Sequence, residues 1–61
     1  MKNGAVEPEK LVGQVRRFGE AGPVYEVLRV KDGGKIAEVR LPESEEKADV
    51  LVEFVLQDPL A

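Results

Sequence analysis

Between Val24 and Leu41 the chain reads Val-Tyr-Glu-Val-Leu-Arg-Val, then Lys-Asp-Gly-Gly, then Lys-Ile-Ala-Glu-Val-Arg-Leu. β-Branched and aromatic residues on both sides of an Asp-Gly-Gly turn predict an antiparallel hairpin, because consecutive positive-φ positions favour Gly, Asp or Asn. The strands fall at residues 24–30 and 35–41. In the later one Ala37, Val39 and Leu41 alternate with Ile36, Glu38 and Arg40, the pattern of a sheet with one wet face. In the earlier one Tyr25, Val27 and Arg29 oppose Val24, Glu26, Leu28 and Val30. Both of its faces are partly apolar, as in a central strand of a curved sheet.

A two-stranded hairpin is marginal alone, so the flanking segments decide the fold. Residues 11–18 fit two periods. Leu11, Val15 and Phe18 recur at i, i+4 and i+7, with Pro8 able to open a helix and Gly19 to close it. Gly13 inside the segment weighs against a helix, and Val12, Val15 and Phe18 suit a pleated surface. A strand is favoured, since the sheet needs another strand to close its core. Gly19-Glu20-Ala21-Gly22-Pro23 then reads as a loop that changes chain direction. Pro42 ends the third strand, and residues 47–51 read as a fourth that rolls into helical turns at 52–57. Asp58-Pro59 stops them, because a residue before proline avoids the α region.

These readings predict a mainly β domain over residues 10–61, preceded by a flexible arm at residues 1–9. Its four antiparallel strands curl into an SH3-like sheet or barrel, with a short C-terminal helical turn plugging one end. The rival is an α+β layout with an N-terminal helix over residues 8–18. The expected core is Val15, Val24, Val27 or Leu28, Ala37, Val39, Leu41, Val52, Val55 and Leu56.

Size and composition narrow the chemistry. A chain of 61 residues holds one domain and buries only about 60% of its unfolded surface. Absence of Cys and His excludes disulfides and any zinc site built on those residues. With 43% hydrophobic and 34% charged residues, the composition is that of a folded chain rather than a disordered one. No apolar run approaches the roughly 18 residues of a membrane span. The first residues lack the apolar stretch of a signal peptide, so a cytoplasmic location is expected by default. The net charge of −3 is uneven. Residues 1–42 carry +2 and residues 43–61 carry −5, the latter with Lys47 as their one base.

Val12-Gly13-Gln14-Val15-Arg16-Arg17-Phe18-Gly19, then Gly22-Pro23-Val24-Tyr25-Glu26-Val27-Leu28, then a late Asp58-Pro59, resembles a family of very short bacterial proteins of unknown function. The resemblance spans residues 11–59 and is carried by the Arg-Arg-Phe-Gly and Gly-Pro-Val-Tyr-Glu-Val blocks. It implies a bacterial cytoplasmic protein and brings no catalytic or binding residues.

No catalytic, cofactor-binding or metal-binding residue is expected. The single Ser44 lies between Glu43 and Glu45 with nothing beside it to lower its pKa. The pairs Glu45/Glu46 and Asp49/Glu53 are read as solvated acids, although Asp49 and Glu53 could share a helical face. So small a domain also has little room for a pocket of roughly 300 Å³. The one cluster read as a candidate contact site is Arg16, Arg17, Tyr25, Arg29 and Arg40, with Phe18 placed in the core. Aromatic rings beside cations are how small barrels take peptides or nucleic acids. Neighbouring Arg16 and Arg17 must nevertheless point to opposite faces of a strand. A structural reading pairs these arginines with Glu20, Glu26 and Glu38 across strands. The expected role is a non-catalytic protein-binding module or small accessory protein with a protein partner. A homodimer would bring the acidic C-terminal segment of one copy to the basic body of another. Nucleic-acid binding, with Lys31 and Lys35 adding phosphate attraction, is the alternative.

Overall fold

The computed structural model describes residues 7–61. A 3₁₀ turn at Pro8–Leu11 leads into β1 (Val15–Arg17), β2 (Val24–Lys31), β3 (Ile36–Leu41), β4 (Glu46–Leu51) and α1 (Val52–Gln57). The four strands form one antiparallel meander in the order β1-β2-β3-β4. The chain is mainly β with a short C-terminal helix, as its hairpin and strand-to-helix patterns predict, and the sheet stays open rather than closing into a barrel.

The β2–β3 turn uses its residues as anticipated. Asp32, Gly33 and Gly34 all have positive φ, which glycine adopts at no steric cost and Asp tolerates better than most residues. Residues 11–18 resolve the contest between helix and strand by division. Pro8 sets the first position of a single 3₁₀ turn whose last residue, Leu11, is fully buried, and the chain then extends into β1. The arm expected at residues 1–9 thus contributes Pro8 and Glu9 to this turn; residues 1–6 lie outside the described residues.

The core is Leu11, Tyr25, Val27, Ala37, Val39, Val52 and Val55, with Phe18, Val30 and Val50 packed against it. Val15 and Leu56, expected inside, are 41% and 43% exposed. The register explains Val15: Arg16 stands opposite Tyr25, so Val15 pairs with Glu26 on the other face. In α1 the inward stripe is Val52 and Val55, and Leu56 lies one position past it. Val24, Leu28 and Leu41 are half-buried. A bulge between Val27 and Arg29 shifts the β2–β3 register. It turns Val30 to the side of Tyr25 and Val27, where strict alternation would have placed Arg29.

The two edges of the sheet differ. Along β1, the C-terminal residues run back antiparallel: the Arg17 N–H donates to the Pro59 carbonyl (3.0 Å) and the Ala61 N–H to that of Val15 (3.0 Å). This tail covers the β1 edge through an isolated bridge from Arg16 to Leu60. No described segment pairs with the outer edge of β4.

Candidate functional site

The five residues read as a contact cluster do not form one surface. Tyr25 is completely buried. Its ring packs on Phe18, centroids 4.2 Å apart, and its hydroxyl donates to Asp58 Oδ2 at 2.7 Å. Arg16 lies at the C-terminal end of α1, where its Nη1 donates to the carbonyls of Val55 (2.9 Å) and Asp58 (2.7 Å). Its Nε donates to Gln14 Oε1 at 3.0 Å. The Gly19 N–H closes the network on Asp58 Oδ1 at 3.2 Å. Arg16, Tyr25 and Asp58 thus join β1, β2 and the end of α1.

Arg17, Arg29 and Arg40 belong to the opposite face. Arg17 donates to the Gly22 carbonyl at 3.2 Å. Arg29 pairs with Glu38 at 3.1 Å and Arg40 with Glu26 at 2.8 Å, both across β2 and β3. Lys31 pairs with Asp49 at 3.1 Å. Glu26 and Glu38 are thus cross-strand partners of these arginines, as the structural reading of the sequence had it. Exposed pairs of this kind contribute roughly 0–1 kcal/mol each.

Burial first, then the hydrogen bond and charge of Asp58, push the Tyr25 hydroxyl well above its ordinary value; the nearby Arg16 charge pulls the other way. An unfolded chain ionises tyrosine near pH 10, whereas the folded chain holds Tyr25 neutral beyond that. The stabilisation is therefore complete below pH 10 and is lost as pH rises toward the folded value. Above pH 10 we expect stability to fall by up to about 1.4 kcal/mol per pH unit from this group. Tyr25 is the only tyrosine and tryptophan is absent, so phenolate absorbance near 295 nm reports it alone. Absorbance should rise together with unfolding and not before it. A separate titration of the folded chain near pH 10 would refute this, and Tyr25→Phe should remove its share of the alkaline loss.

Chemistry at these groups is limited. The described residues hold no group of three or more metal-ligating side chains. Asp49 and Glu53 do not share a helical face, because α1 starts at Val52 and leaves Asp49 in β4. The sequence argument that the domain lacks room for a pocket is corrected by two open clefts. The larger, about 490 Å³, lies between Phe18, Val50, Leu51, Phe54 and Val55, with Asp49 and Asp58 also in its lining. The smaller, about 430 Å³, runs between Gly34, Lys35, Leu51 and Leu56. The lining of the larger is mostly apolar, and Asp58 is already engaged by Tyr25 and Gly19. Such a surface can accept apolar side chains. Phe54 and Leu51, which line it, are 55% and 40% exposed.

Sequence reasoning did not anticipate Asp58 or Gln14 in this network. Asp58 was visible only as the residue before a helix-stopping proline, and no local signal joins it to Tyr25.

Comparison with family profiles places residues 4–61 in the family of unknown function DUF5397. The chain belongs to that family. A comparison with curated proteins returned no match. Membership covers the whole described domain, so the meander, the Tyr25–Asp58 tie and the β4 edge, unpaired among the described residues, all lie within the matched region. No helix among the described residues is long and apolar enough to cross a membrane.

Proposed function

We propose that this chain is a non-catalytic protein-binding module of the bacterial cytoplasm, and that its contact surface is the free edge of β4 with the apolar cleft beside it. The observation that carries this reading is the contrast between the two sheet edges. The β1 edge is covered by the chain's own tail, while β4 presents a regular six-residue strand next to exposed Leu51 and Phe54. Free strand edges accept extended segments of other chains through main-chain hydrogen bonds, and adjacent pockets take alternate side chains. The arginine face supports a nucleic-acid role less well, since Arg17, Arg29 and Arg40 each already donate to a group of their own chain.

A photo-crosslinking residue in place of Leu51, compared with one in place of Arg29, tests this. Irradiation in the native host should give protein adducts from position 51 and few from position 29. Adducts from position 29 alone, or adducts to nucleic acid, would refute the assignment.

A further inference from the structure

We infer that the partner at the β4 edge is a second copy of this chain, joined strand to strand about a two-fold axis through Ala48. The inference rests on the proposed binding edge and names its occupant. Val52 donates its N–H to the Lys35 carbonyl at 2.8 Å, and β4 stands opposite β3 with Ala37↔Val50, Val39↔Ala48 and Leu41↔Glu46. Backbone groups alternate sides along a strand. Those of Glu46, Ala48 and Val50 therefore turn to β3, and those of Lys47, Asp49 and Leu51 turn outward. Natural sheet edges are usually blunted by proline, bulges, inward charges or edge lysines, and the one lysine of β4, Lys47, is matched by Asp49 two residues on. β4 has no proline and keeps an unbroken register with β3 from Leu51 to Glu46.

Antiparallel pairing of two such edges must set outward residues against outward residues. Centring the axis on Lys47 opposes two ammonium groups, and centring it on Asp49 opposes two carboxylates. Centring it on Ala48 sets Lys47 against Asp49 of the partner twice, with the small Ala48 side chains facing each other. Asp49 already holds Lys31 of its own chain through Oδ1, and its exposed carboxylate has a second oxygen for the partner's Lys47. Opposite charges directly across a strand pair stabilise it and like charges weaken it, so charge selects the Ala48 register. The product is a continuous eight-stranded sheet with both free edges consumed.

The mass of the intact chain by sedimentation equilibrium tests this, alongside Lys47→Asp and Asp49→Lys. The wild type should be a dimer. Each single variant should raise the dimer dissociation constant at least about tenfold by placing like charges opposite one another. An equimolar mixture of the two variants should dimerise again, since two acids on one chain then face two bases on the other. A monomeric wild type at millimolar concentration, or a mixture that stays monomeric, would overturn the inference. Should a variant fail to fold, amide exchange in the wild type decides instead: Lys47 and Asp49 should gain protection as concentration rises, and unchanged rates would overturn it. A monomeric chain whose position-51 adducts contain a different protein would sink self-pairing and leave the binding role standing.

Discussion

Tyr25→Ala should leave this chain without a cooperative unfolding transition. Tyr25 heads the fully buried side chains by volume, stacks on Phe18 and ties β2 to Asp58 through a 2.7 Å hydrogen bond. Truncating a large buried aromatic to alanine costs about 3–5 kcal/mol. A domain of 61 residues has a total stability of only about 3–9 kcal/mol. The core contains six other residues, and Phe18 would lose its stacking partner at the same time. Tyr25→Phe isolates the hydroxyl and should cost about 1–2 kcal/mol, since Asp58 is only partly buried and water can replace the lost donor. Urea denaturation followed by circular dichroism measures both. Retention of a cooperative transition by the alanine variant, with a loss below about 1 kcal/mol, would show that the core does not depend on this ring.

Arg16→Ala should cost about 2–3 kcal/mol and release α1 with the tail behind it. α1 has six residues, no side-chain N-cap and no basic residue in its last turn. Isolated helices below about 12–15 residues are marginal in water, so α1 exists because β4 delivers it onto the sheet and Arg16 secures its end. The guanidinium supplies a positive charge at the C-terminus of the helix, where the backbone dipole favours one. It also bonds the Asp58 carbonyl just past the helix and shares the Val55 carbonyl with the Asp58 N–H. Hydrogen bonds to charged groups contribute about 1.5–3 kcal/mol. Arg16→Lys should recover only part of the loss, because an ammonium lacks the planar fork that also reaches Gln14. Amide exchange provides the readout. The N–H groups of Arg17 and Ala61, both bonded between β1 and the tail, should lose protection before those of the β2–β3 ladder. Equal protection in both regions would mean that Arg16 has no such role.

The elements that follow from neighbouring residues were legible in the chain itself. Asp32-Gly33-Gly34 determines a positive-φ turn, and the alternation of Ala37 and Val39 determines which face of β3 is dry. The pattern at residues 47–57 places the change from β4 to α1 at Leu51–Val52, where it occurs. Each depends on backbone preferences or on a period read within one element. The pairing of arginines with Glu26 and Glu38 was legible in the same way, through cross-strand charge.

What the tertiary structure decided involves partners far apart in sequence. Residues 11–18 carried both a helical and a pleated period, and burial of Leu11 against the sheet divided the segment between a 3₁₀ turn and β1. The β2 bulge reversed the alternation after Val27, which moved Val30 to the core and Arg29 to water. Arg16 and Tyr25 resembled a contact site because a cation and a ring sat near each other along the chain. The fold spent both on Asp58 and α1, more than thirty residues away. The physical reason is that a side chain's hydrogen-bond capacity is limited: a buried group whose capacity is filled inside the fold cannot also serve a partner, and that assignment is made only when distant segments meet.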